Sequence, residues 1–187
     1  MMDQKEMAKR VKLIIMDVDG TLSDGRFYAM PDGTVLKSFD VKDGTGIIFA
    51  GLAGIKTAVI TGKTSDAVKK RAEELHIDDY YDGVEDKTKP FYELLLKYSL
   101  KKEEVAYIGD DIGDAEVMGM VGFSAAVGDA HPLIKRISHY IAKRYGGRGA
   151  VRELIDFILD VQEKWPEIFL KLKASDDEKE LMKNINS

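Results

Sequence analysis

Apolar positions along the chain come in short dense runs, separated by longer stretches in which they recur every three or four residues. VKLIIMDV (11–18), KTAVIT (56–61) and EVAYIGDD (104–111) are β-rich, short and bounded by turn residues, as buried strands are. IDDYYDGV (77–84), FSAAVG (123–128) and HYIA (139–142) read as shorter strands, the last two flanking HPLIKRI with 132–137 at its core. GTGIIFAGLAG (44–54), SDAVKKRAEELH (65–76), TKPFYELLLKYSL (88–100), DAEVMGMV (114–121) and AVRELIDFILDVQEKW (150–165) read as helices. GRFYAM (25–30) and GTVLKSFDV (33–41), on either side of Pro31-Asp32-Gly33, suggest a hairpin inserted after the first strand.

Apolar runs without alternation, separated by helices, predict a parallel sheet covered on both faces: a doubly wound α/β domain over residues 1–165. Beyond Pro166 the chain turns charged, and 166–187 is expected to be a tail that is frayed or helical only in a complex. No repeat or low-complexity tract interrupts this order.

Composition narrows the function. The 187 residues can bury one real core, and a net charge of −5 without a basic stripe argues against a nucleic-acid partner. With no cysteine, disulfides, thiolate metal sites and cysteine nucleophiles are excluded together. The N-terminal MMDQKEMAKR has no apolar core of a signal peptide, and no run has the length of a membrane span. No membrane partner and a cytoplasmic location are therefore expected.

In such sheets ligands bind beyond the carboxyl ends of the strands. The first strand ends in Asp17 and Asp19, two apart and so on one face of extended chain. A later strand ends in Thr61-Gly62-Lys63, a loop offers Lys87 or its neighbour Lys89, and another strand ends in Gly109-Asp110-Asp111 with Asp114 close behind. Converging carboxylates raise one another's pKa and cost stability unless a cation such as Mg²⁺ joins them. Carboxylates, a lysine and a hydroxyl around a divalent cation suit phosphoryl transfer: one carboxylate attacks phosphorus, and a second trades protons with the leaving group and with water.

The ordered set D17-V-D19-G20-T21, T61-G62, Lys87 and G109-D110-D111-x-x-D114 resembles the four motifs of the haloacid dehalogenase-like phosphatases. DGTLSDGRFY, FDVKDGTGI, ITGK, GDDIGD, VGDAHP and YGGRGAVREL carry the resemblance further, to the 3-deoxy-D-manno-octulosonate 8-phosphate phosphatase family, over about residues 11–160. The resemblance implies a Mg²⁺-dependent phosphomonoesterase acting on a phosphorylated keto-sugar acid. It makes Asp17 nucleophile and metal ligand, and Asp19 acid/base and metal ligand through its backbone carbonyl. It assigns Thr61 to the phosphoryl group, Lys87 to that group and Asp17, Asp110 to the metal, and Asp111 and Asp114 to the metal's supporting shell. Substrate contacts map onto Asp19, Asp40, Val41, Lys42, Asp43, Gly44, Ile48, Lys63, Arg71 and Lys87. It further implies no large cap domain and a homotetramer, in which the hairpin (about 25–41) and a neighbour's tail complete the site. Lys63 stands where the family more usually has arginine, a point charge in place of a fork.

Other readings are weaker. As a calcium loop DVDGT would need glycine sixth and glutamate twelfth, where Leu22 and Tyr28 stand. As a P-loop TGKT would need glycine at Thr57. In a receiver domain, the phosphorylated aspartate would end a middle strand, and KTAVI carries none. Within the resemblance, an N-acylneuraminate 9-phosphate phosphatase and a non-catalytic oligomerisation module are the alternatives. Asp114 either caps the next helix or supports the metal. Arg148 in GGRG either meets a substrate carboxylate or a neighbouring subunit, or its loop is a flexible lead into the last helix. Trp165, Phe169 and Leu170 suggest an apolar surface for a second subunit.

Overall fold

The structure, a computed structural model, describes residues 3–33 and 35–174. In chain order it forms α1 (Gln4–Lys9), β1 (Leu13–Met16), β2 (Tyr28–Ala29), β3 (Val35–Leu36), α2 (Val41–Leu52) and β4 (Lys56–Ile60). Then follow α3 (Asp66–Glu74), β5 (Asp79–Tyr81), α4 (Thr88–Tyr98), β6 (Val105–Gly109) and α5 (Ala115–Met118). β7 (Phe123–Ala126), α6 (Pro132–Ile137), β8 (Tyr140–Ile141) and α7 (Ala150–Val161) complete the order.

Six strands make one parallel sheet in the order β5-β4-β1-β6-β7-β8. The chain moves from β1 outward to β4 and β5, returns to the other side of β1 as β6, and continues outward to β7 and β8. Right-handed crossovers then place α2 and α3 on one face and α4, α5 and α6 on the other. The helix contacts agree: α7 packs on α1 and α2, while α5 touches α4 and α6. Leu13 to Met16 are all fully buried between these layers, which is why the run is uniformly apolar. The order reverses between β1 and β6, so their carboxyl ends flank the switch-point crevice.

Three details depart from the sequence reading. α2 begins at Val41, because the Asp40 carboxylate accepts a hydrogen bond from the Lys42 N–H at 2.7 Å and caps it there. The hairpin pairs only Tyr28 with Leu36 and Ala29 with Val35, closed at its base by a Ser23–Phe39 bridge. The side chains of β2 and β3 face solvent, and among the described residues no further strand extends the pairing. α7 ends at Val161, and residues 165–174 form another helix where a frayed tail is expected. Ile168 is fully buried there, and the Trp165 ring packs edge-on against Phe49 with centroids 5.7 Å apart, while Phe169 and Leu170 stay exposed. Residues 175–187 of the expected tail lie outside the described residues. No helix among the described residues is long and apolar enough to cross a membrane.

Candidate active site

The site grows from the loop after β1. The Asp17 N–H still donates to the Ile108 carbonyl at 3.1 Å, so the nucleophile candidate hangs on the sheet's last rung. The chain then turns tightly, with Thr21 and Ser23 N–H groups both bonding the Val18 carbonyl. Gly20 makes the turn at φ +99°, and a Cβ there would lie 2.1 Å from Asp110 Oδ2. Only glycine lets the two strand ends come this close. A second backbone braces the first: Gly147 N–H donates to the Thr21 carbonyl at 2.8 Å, and a Cβ on Gly146 would fall 1.7 Å from the Gly20 oxygen. The 146–149 loop is thus a close-packed bracket rather than a flexible lead.

Carboxylate oxygens of Asp17, Asp110 and Asp114 lie within 4.8 Å of one another. Lys87, at the start of α4, sends its Nζ to Asp17 Oδ1 at 2.6 Å and to Asp114 Oδ1 at 2.7 Å. Asp114 is fully engaged: it also accepts from the Tyr107 hydroxyl at 2.7 Å and from the Asp110 and Asp111 N–H groups. Its side chain holds the β6 loop and the lysine in place; it does not cap α5. Asp110 accepts from the Thr21 hydroxyl at 3.1 Å. Burial, then the negative charge of Asp114, pushes Asp17 up to about 6 against the pull of Lys87. Burial and the charges of Asp17 and Asp114 push Asp110 up to about 8. One lysine does not neutralise three clustered carboxylates, and an oxygen-only donor set of this kind fits Mg²⁺.

The other residues singled out above divide into two groups. Asp19 and Lys63 line the cleft with Asp110 and the exposed Asp111, whose own carboxylate accepts from the Ile112 N–H at 2.8 Å. Thr61 is buried at the β4 end, its hydroxyl accepting a long 3.4 Å bond from Lys63 N–H. Asp40, Asp43, Gly44 and Arg71 instead border a small apolar cavity between α2 and α3. Asp43 is buried and accepts from Gly149 N–H at 3.1 Å and Arg152 N–H at 2.7 Å, which caps α7. Arg71 lies over Gly44 and pairs with Glu74 at 3.2 Å. Val41 and Ile48 are exposed on α2, and Lys42 borders a groove along α7 with Arg152 and Asp156. Within one chain this second group does not join the carboxylate cluster.

Three participants escape the sequence reading. Tyr107 is a fully buried strand residue and looks like core until its hydroxyl is seen on Asp114. Lys37 pairs with Asp19 Oδ1 at 2.6 Å, and Phe27 lies 4.0 Å from Lys63 Nζ, centroid to nitrogen. Both belong to the hairpin segment, whose fold-back toward its own cleft has no periodic signal.

The sequence pattern of the haloacid dehalogenase-like hydrolases matches residues 39–122. A 3-deoxy-D-manno-octulosonate 8-phosphate phosphatase from Yersinia pestis is 45% identical over 162 residues, 87% of either chain. The crystal structure of the Yersinia pestis enzyme superposes with a TM-score of 0.85, covering 87% of this chain and 88% of that one at 45% identity. A Moraxella catarrhalis phosphatase of the same name was solved with magnesium ion, phosphate ion and a KDO molecule. It is 37% identical, with TM-score 0.86, covering 90% of this chain and 97% of that one. By its motifs, its fold and this extent of identity, the chain belongs to the haloacid dehalogenase-like hydrolases, in the 3-deoxy-D-manno-octulosonate 8-phosphate phosphatase family.

Proposed function

We propose that the protein hydrolyses a phosphorylated keto-sugar acid, 3-deoxy-D-manno-octulosonate 8-phosphate, to the free sugar acid and inorganic phosphate. One observation carries the reaction class: Asp17 lies in a buried carboxylate cluster at the switch point, with one oxygen held by Lys87 at 2.6 Å. The other Asp17 oxygen attacks phosphorus; the ester P–O bond breaks and the leaving alkoxide takes a proton from Asp19. Water then attacks the aspartyl-phosphate and gives its proton to Asp19, and the bond from phosphorus to Asp17 breaks. Lys87 fixes the nucleophile's rotamer, and we assign the Thr61 hydroxyl, at the β4 carboxyl end, to the phosphoryl group. Mg²⁺, held by Asp17, Asp110 and the Asp19 backbone carbonyl, supplies positive charge to offset the carboxylates and the phosphoryl oxygens when bound.

The substrate follows the named relatives, and Lys63 at the cleft offers charge for a sugar carboxylate. Residues of the α2 group that stay away from the cluster fit a site completed across a homotetramer. Phe27, Tyr28, Met30, Val35 and Leu36 on the hairpin, each 44–51% exposed, support such an assembly. A non-catalytic scaffold would have no use for Asp17, Lys87, Asp110 and Asp114 in one buried cluster.

The test is phosphate release, with and without Mg²⁺, from the octulosonate 8-phosphate, an N-acylneuraminate 9-phosphate and simple sugar phosphates, on protein sized by sedimentation. Mg²⁺-dependent release, fastest from the octulosonate ester, is expected. Asp17→Asn and Asp19→Asn should lower it by roughly 10²-fold to 10⁴-fold. Preference for the neuraminate ester would reassign the substrate, and variants as active as the parent would refute the mechanism.

A further inference from the structure

We propose that Lys37, on the hairpin, is a positioning residue for Asp19. The inference rests on the phosphomonoesterase reading and assigns to the hairpin a role within its own chain. Lys37 follows β3, on a segment whose neighbours Val35 and Leu36 point to solvent, yet its side chain is 4% exposed. Its Nζ meets Asp19 Oδ1 at 2.6 Å. The ring of Phe27 covers it at 5.5 Å from the centroid, and the same ring covers Lys63 at 4.0 Å. Enclosed in this way, Lys37 is a poor substrate ligand; what it touches is the carboxylate.

The segment carrying Lys37 is anchored on both sides. Ser23 bridges to Asp19 and to Phe39, and Asp40 caps α2 immediately after. An aspartate on a loop otherwise samples several rotamers. The ion pair engages Oδ1 and leaves Oδ2 as the oxygen that exchanges the proton. Proton transfer from a held carboxyl group requires hydrogen-bond reach of the bridging ester oxygen, so losing the hold costs rate while leaving binding nearly intact.

The leaving group separates this role from a merely structural one. A sugar or other alkyl phosphate needs a proton on its departing oxygen; p-nitrophenyl phosphate does not. Lys37→Met should lower kcat/KM, which reads the step in which the ester oxygen leaves, about 100-fold on the alkyl phosphate and less than about 5-fold on the aryl ester. Lys37→Arg should recover most of the alkyl rate. The ratio of two rates on one preparation is independent of the folded fraction, so partial unfolding cannot imitate the effect. In an Asp19→Asn background, Lys37→Met should cost nothing further, since the carboxyl group it positions is gone. Equal losses of kcat/KM on both esters, or a full further loss in the Asp19→Asn background, would overturn the inference. If the unmodified protein with Mg²⁺ releases phosphate from neither ester, the phosphatase reading itself fails.

Discussion

Asp43 shows how one side chain can serve a fold where a motif suggests chemistry. Its carboxylate is buried, raised to about 6 by burial despite two backbone hydrogen bonds, and accepts the N–H groups of Gly149 and Arg152. Those donors belong to the first turn of α7, which has no other acceptor for them in the helix. Asp43→Ala should therefore lower stability by about 1–2 kcal/mol, measured by urea unfolding. An unchanged midpoint with a raised KM would instead make Asp43 a substrate ligand, as the resemblance implies. At this scale the sequence was most legible where chemistry sits at strand ends: Asp17, Asp110, Asp114 and Lys87 do come together. Lys37 and Tyr107 were hidden, because one depends on how a hairpin folds back and the other on which way a core ring points.

Among the elements, the bracket at 146–149 braces the Asp17–Thr21 loop. A methyl group on Gly146 would sit 1.7 Å from the Gly20 oxygen, with backbone on the other side rather than a yielding side chain. Gly146→Ala should displace the Asp17–Thr21 loop relative to Asp110, with a stability loss of roughly 1–3 kcal/mol and a larger loss of Mg²⁺-dependent turnover. A calorimetric midpoint and a phosphate-release rate read the two effects, and a variant with parental values for both would show that the loop yields. The strands and helices themselves were readable from apolar runs and helical spacing. Their limits were less so. The start of α2 depends on the Asp40 cap. The helix over 165–174 depends on one buried residue, Ile168, inside a charged stretch.

For the molecule as a whole, the sheet order brings β1 and β6 side by side and so gathers like charges at the crevice. Asp17 and Asp110 titrate at about 6 and about 8 in the folded protein, above the ordinary carboxyl value of 3.8. Folding therefore favours the protonated carboxyls. The stability this contributes is complete below about pH 4 and is lost progressively between about pH 4 and about pH 8. Thermal midpoints of metal-free protein should fall across that interval. Added Mg²⁺ competes with those protons, so its stabilising increment should grow over the same interval, reaching about 2.7 kcal/mol at one hundred times Kd. A Mg²⁺ increment independent of pH would mean that the metal does not displace these protons.

The contact between the two ends of the chain bears on how the protein is made. The Gln162 side chain donates to the carbonyls of Ala8 and Val11, both at 2.8 Å, and α7 covers α1 and α2. During synthesis the first strand–helix unit leaves the ribosome with the face that α7 will cover still bare. It stays bare until α7 has emerged. The nascent protein therefore spends most of its translation with an apolar helix face open to chaperones, until α7 docks on it.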